Sequence, residues 1–241
     1  MIEITGLSKG YFGKTVLEDI SFVCETGAVC GLIGYNGAGK TTLLRCMAGI
    51  YRPDAGSVRL GGEDVWENAG RKAETFLLAE DPYFLPQATL FTMRDFYRGY
   101  TPSWDDEVFE RLMVAFRLPG TQKISSFSKG MRRQAGILLA FSATPKYLFL
   151  DEIFDGLDLA MRRVMRTLLA AYVRTRQATA VVTSHNLREL EDGIDKIVMI
   201  RQNRLTYEGP VADIREAHGT LEAYFLGERE VDESAFSGVF Q

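Results

Sequence analysis

The chain alternates short apolar runs with longer stretches of helical period. ISFVCE (20–25) and AVCGLIG (28–34) are strand-like, and the second is apolar nearly throughout, as a strand buried on both faces should be. TTLLRCMAGI (41–50) has helical spacing and stops near Gly49. RPDAGSVRL reads as a turn followed by a short strand. TFLLA (75–79), YLFL (147–150), TAVVTS (179–184) and KIVMI (196–200) read as further strands, and LAMRRVMRTLLAAYVRT (159–175) as a long helix. This alternation predicts an α/β core around a mainly parallel sheet. The stretch from about 86 to 140 breaks it. DDEVFERLMVAF (105–116) is helical, FSKGMRRQ leads another helix, and no convincing strand lies between them. These patterns predict a core over 1–85 and 141–215 and a helical subdomain inserted at 86–140. A C-terminal helix and tail follow over 216–241, where TLEAYFLG precedes a polar, acidic end.

Composition adds limits. The chain has 241 residues, 46% hydrophobic and 25% charged, in the ordinary globular range. A net charge of −4 argues against a nucleic-acid binder, which usually carries a basic face, so no nucleic acid is expected. Cys24, Cys30 and Cys46 have no metal-site spacing and read as buried thiols. The N-terminus has no apolar run of a signal peptide. No stretch approaches the roughly 20 apolar residues of a membrane span. If the protein works at a membrane, another chain must cross it.

Three motifs carry chemistry. GYNGAGKT (34–41) fits the phosphate-loop pattern between an apolar strand and a helix. Backbone N–H groups of Gly37, Ala38, Gly39 and Lys40 can face one cavity, with Gly34, Asn36 and Thr42 completing the loop. The Lys40 ammonium would neutralise phosphate charge, and Thr41 offers a hydroxyl to Mg²⁺. KYLFLDE (146–152) ends an apolar strand in two acids, Asp151 for Mg²⁺ and Glu152 beside the γ-phosphate. On their own these would be two acids facing water; beside a phosphate loop they fit the carboxylate that MgATP needs. FSKGMRRQ is a second anion-binding helix start, with Ser128 as cap and Gly130 allowing close approach.

FSKGM resembles the LSGGQ signature of the ATP-binding subunits of ABC transporters, and the resemblance runs to about residue 226. It implies a P-loop NTPase core with an antiparallel β portion near the N-terminus, and ATP and Mg²⁺ as cofactors. It also explains the two anion sites. Two ATPase domains meet head to tail, so Ser128 and the backbone near Gly130 contact the γ-phosphate held by the partner's loop. By the same resemblance Tyr11 stacks on adenine and Asp158, in FDGLD, lies at the subunit contact. His185 touches the γ-phosphate, and Glu152 with Lys40 and His185 forms the catalytic set. Two motifs depart from the family. Lys129 and Met131 replace the usual Gly and Gln of the signature, and Lys129 is expected to add positive charge near the partner's nucleotide. Glu80 stands where a Gln usually precedes the helical subdomain, and as a carboxylate it can ligate Mg²⁺.

SKGMRRQ with HNLRELED is similar to a bacterial subgroup whose permease is a separate short membrane protein, often an exporter. The implied partners are a second ABC ATPase subunit, in a homo- or heterodimer, and an integral membrane permease. The implied place is the cytoplasmic face of the membrane. Two other readings compete: a soluble ABC ATPase acting on ribosome or DNA, and another P-loop enzyme such as a small-molecule kinase. One ATPase domain, no heptad run and an acidic balance count against the first. The signature together with the acid pair counts against the second.

Overall fold

A computed structural model describes residues 1–184 and 187–227. Strands β1 (Ile2–Tyr11) and β2 (Lys14–Cys24) form an antiparallel hairpin. Phe12 and Gly13 close it, both at positive φ, as a two-residue loop with the native twist requires. β4 (Ala55–Leu60) and β5 (Glu63–Asp64) extend this into a sheet of order β2-β1-β4-β5. β1 was not evident in the sequence. Its register slips between Ile4 and Leu7, where Gly6 takes a positive φ, so the buried Ile2, Ile4 and Leu7 do not alternate strictly.

The second sheet has the order β10-β9-β3-β8-β7-β6. It is built from β3 (Val29–Ile33), β6 (Thr75–Leu78), β7 (Tyr147–Leu150), β8 (Thr179–Thr183), β9 (Lys196–Arg201) and β10 (Arg204–Pro210). β10 joins antiparallel and the other pairings are parallel. β10 escaped the sequence pattern because it is a half-exposed edge strand.

Period-two side-chain placement splits the core into two layers. On one face Cys30, Leu32, Phe149, Val181, Val198 and Ile200 pack against α1 (Lys40–Met47) and the antiparallel sheet. On the other, Leu148, Leu150, Ala180, Val182 and Met199 share one apolar cluster with the helical stretch. That stretch holds α3 (Leu90–Tyr100), α4 (Asp106–Ala115), a 3₁₀ turn (Ile124–Ser126) and α5 (Lys129–Ser142), after a short α2 (Ala69–Ala73) before β6. Residues Ala135 to Ser142 of α5 are all buried, so this helix is anchored in the main core while its first turn reaches the surface. α6 (Leu159–Arg176) follows β7, α7 (Leu187–Glu191) follows β8, and α8 (Val211–His218) and α9 (Leu221–Gly227) end the described chain. Cys24, Cys30 and Cys46 are buried and free, as expected.

Candidate nucleotide site

The parallel strands β3, β7 and β8 deliver their C-terminal ends to one edge of the sheet, where ligands of open α/β sheets bind. The phosphate loop leaves β3 there and enters α1. A side chain at Gly34 would place a Cβ 2.7 Å from the Ile200 carbonyl oxygen, so only glycine lets the loop lie against β9. Gly39 caps α1 at φ 95, and a Cβ there would meet Leu17 at 2.8 Å. β2 of the antiparallel sheet therefore presses directly on the loop.

The result is a cavity of about 520 Å³. Asn36, Gly37, Gly39, Lys40, Thr41 and Thr42 line one side, with Glu80, Glu152, Asp155 and Val16 around them. Ala38, expected to turn its N–H into the cavity, instead donates it to the Tyr35 carbonyl at 3.0 Å and does not line the space. That bond closes the turn that shapes the loop. Lys40 is buried, and its ammonium donates to the carbonyls of Gly34 at 2.8 Å and Tyr35 at 3.2 Å. Burial draws its pKa below the usual lysine value, against the opposing charges of Glu152, Asp151 and Glu80.

Two of the three expected Mg²⁺ residues touch. Thr41 Oγ1 donates to Asp151 Oδ2 at 2.7 Å, and Asp151 Oδ1 accepts from Thr183 Oγ1 at 2.7 Å. Asp151 is buried and does not line the cavity, so it orients the Thr41 oxygen from behind. The Thr41 hydroxyl, with the Glu80 carboxylate facing the same cavity, is a hard-oxygen set that fits Mg²⁺. No group of three or more His, Cys, Asp or Glu side chains placed to hold a metal gathers among the described residues. A cation here would share its coordination with phosphate oxygens.

Glu152 sits at φ 49, a left-handed conformation unusual for a non-glycine residue. Its N–H donates to Thr183 Oγ1 at 2.8 Å, so one threonine fixes both acids of the pair. Glu152 faces the cavity and Asp151 does not. Thr183, Asp155 and Val16 were missed in the sequence; Thr183 could have been found from its place at the C-terminal end of β8.

The remaining predicted residues lie elsewhere. Ser128 is exposed and caps α5, its hydroxyl accepting from Met131 N–H at 3.2 Å. Neither Ser128 nor Gly130 lines the cavity of its own chain. Lys129, expected to bring charge toward a partner's nucleotide, pairs with Asp155 of its own chain at 2.8 Å. The short reach between the first turn of α5 and the loop after β7 explains this: a Cβ at Gly130 would lie 3.3 Å from the Gly156 carbonyl oxygen. Asp158 caps α6, accepting from Met161 N–H at 2.8 Å. Tyr11 stands at the hairpin end with its ring edge-on to Tyr51 at 6.1 Å, outside the phosphate cavity. His185 lies outside the described residues.

A second cleft of about 500 Å³ adjoins the first and shares Glu80 and Asp155 with it. Pro82, Phe127, Arg132 and Arg133 form its other wall. Arg133 is 3% exposed and donates to the Ala79 carbonyl at 3.0 Å, which ties α5 to the residue before Glu80.

Residues 17–155 match the ABC transporter family profile. The ABC transporter ATP-binding protein YtrB of Bacillus subtilis strain 168 is 30% identical over 225 residues, 93% of this chain and 77% of YtrB. The spermidine/putrescine import ATP-binding protein PotA of Haemophilus influenzae is 28% identical over 240 residues, covering 97% of this chain and 64% of PotA. A solved ATP-binding subunit of an ABC transporter superposes with a TM-score of 0.83 at 27% identity, over 94% of this chain and 98% of that one. A bacterial Atm1-family ABC exporter with ATP bound shares the fold, with a TM-score of 0.81 at 20% identity over 96% of this chain and 42% of that one.

Proposed function

The chain belongs to the ABC transporter family as an ATP-binding subunit, and from that premise we propose that it hydrolyses MgATP to drive a separate membrane permease. The observation that carries the chemistry is the convergence of Lys40, Thr41, Glu80 and Glu152 on one cavity, with Asp151 hydrogen-bonded behind Thr41. Phosphoryl transfer asks the protein for positioning and charge neutralisation more than for covalent chemistry. Lys40 leaves the carbonyls of Gly34 and Tyr35 to meet β- and γ-phosphate oxygens. Glu152 orients the attacking water and accepts its proton, held by the Thr183 bond to its N–H. Bound Mg²⁺ would be held by Thr41, with Glu80 beside it, and would neutralise phosphate charge.

The site is completed in trans. Ser128 is exposed and away from its own phosphate cavity, which supports its use by a second ATPase subunit. The partner's γ-phosphate would meet Ser128 and the free end of α5. ATP then joins two subunits, and hydrolysis releases them. His185 and Asp158 keep the roles that the family resemblance gives them, at the γ-phosphate and at the subunit contact, and Tyr11 the adenine role.

No helix among the described residues is long and apolar enough to cross a membrane. The cleft beside Glu80 and α5 would receive a cytoplasmic helix of the permease, with the subunit at the inner membrane face. PotA is named for import and the Atm1-family structure for export. The reading as an exporter rests on the resemblance of SKGMRRQ with HNLRELED to the subgroup described above. Purification of the tagged protein from native membranes in mild detergent tests this assignment. A multi-span permease at near-stoichiometric amount is expected. Ribosomal or DNA-bound proteins in its place would overturn the transporter reading.

A further inference from the structure

The phosphate loop touches a part of the chain that none of the motifs includes. Tyr35, its second residue, packs its ring on Phe225 of α9, with centroids 4.7 Å apart and planes at 51°. Arg201, the last residue of β9, lies over both rings, 5.7 Å from Tyr35 and 5.0 Å from Phe225. The same guanidinium donates through Nη2 to the Phe225 carbonyl at 3.0 Å. Phe225 is 9% exposed and Leu221, one helical turn earlier, is fully buried, so α9 is docked in the main apolar cluster.

Tyr35 matters for what its backbone does. Its carbonyl accepts the Lys40 ammonium and the Ala38 N–H. A ring held from outside therefore fixes the carbonyl that closes the loop. The other end of α9 grips the segment after β8. Leu221 N–H donates to Glu191 Oε2 at 3.1 Å, and Glu222 pairs with Arg188 at 2.5 Å. Arg215 of α8 holds the Glu191 carboxylate at 3.0 Å and the Glu191 carbonyl at 2.6 Å. β8 itself carries Thr183, which holds Asp151 and Glu152. α9 thus links the phosphate loop to the segment that follows the strand carrying Thr183.

We infer that α9 is a brace on the nucleotide site, and that Phe225 and Arg201 are positioning residues for the phosphate loop, acting through the Tyr35 carbonyl that closes its turn with the Ala38 N–H. The inference rests on the reading of the cavity as a nucleotide site. Its consequence is that changes at the C-terminal helix alter nucleotide affinity without touching any residue of the phosphate loop.

A double-mutant cycle on Tyr35 and Phe225 tests it, with two readouts. The first is MgATP affinity, followed with a fluorescent ATP analogue. Phe225→Ala should weaken binding roughly fivefold to tenfold, the size of one aromatic pair with one cation–π contact. Tyr35→Ala should do the same, and the double variant should be no weaker than either, because both remove one contact. Phe225→Tyr should restore wild-type affinity. The second readout is hydrogen exchange at the Ala38 amide in nucleotide-free protein, which Phe225→Ala should accelerate by a similar factor. Arg201→Gln gives the same direction with a smaller change and serves if Phe225→Ala fails to fold. Unchanged Ala38 exchange and unchanged affinity in a folded variant would overturn the brace, as would strict additivity in the cycle. If wild-type protein bound no MgATP, the functional reading would fall, while Ala38 exchange would still decide the brace.

Discussion

Glu152 carries the sharpest expectation at the residue scale. Its backbone is strained at φ 49 and its N–H is held by Thr183, an arrangement that aims the carboxylate at the cavity. A general base contributes about 10²–10⁴ in rate. Glu152→Gln should therefore bind MgATP with near wild-type affinity while turnover falls by at least roughly a hundredfold, read from phosphate release beside nucleotide titration. Wild-type turnover by this variant would remove Glu152 from the role. Lys40 gives a second expectation. Burial lowers its pKa in the protein alone, and a polyphosphate at its ammonium raises it again. Between those two values MgATP binding should take up a proton. Calorimetry at alkaline pH, in buffers of different ionisation enthalpy, should show uptake; proton release would contradict the placement of Lys40 against phosphate.

Among the elements, α5 joins fold and function. Its buried half from Ala135 to Ser142 fixes the helix in the core, and its first turn presents Ser128 to solvent. Ser128→Ala removes the cap bond to Met131 N–H and should cost about 1 kcal/mol of stability in denaturant unfolding. Lys129→Ala removes an ion pair whose lysine is 76% exposed, so its effect on stability should be small. The buried parallel strands β3, β7 and β8 were legible because continuous apolar runs leave little else possible. β1 was hidden by the bulge at Gly6, and α3 by the polar and aromatic mixture of LFTMRDFYRGY, whose Phe96 and Tyr100 remain exposed. In the site, residues of contiguous motifs were legible: Lys40, Thr41 and Glu152 face one cavity, as their spacing implied. Val16 and Asp155 were not, because they reach the cavity through tertiary packing, β2 against Gly39 and the loop after β7 against α5. Ala38 departs from its expectation through a bond inside the loop, to the Tyr35 carbonyl, and Lys129 carries an added intrachain contact, its pairing with Asp155. A local motif specifies which groups are near, and the folded turn and its neighbours decide which of them are already bonded.

For the whole molecule, the helix starts of α1 and α5 do not share a cavity. The N-terminus of α1 opens onto the cavity, while the capped start of α5 stands apart from it. In the head-to-tail pair proposed above, one of each would meet at every ATP. Size-exclusion chromatography with light scattering on Glu152→Gln tests this most directly. The protein should be a monomer without nucleotide and a dimer holding two ATP with it, and adding Ser128→Arg should leave ATP bound to monomers. A Glu152→Gln protein that stays monomeric while saturated with MgATP, alone and with any second ATPase recovered alongside the permease, would contradict the shared site.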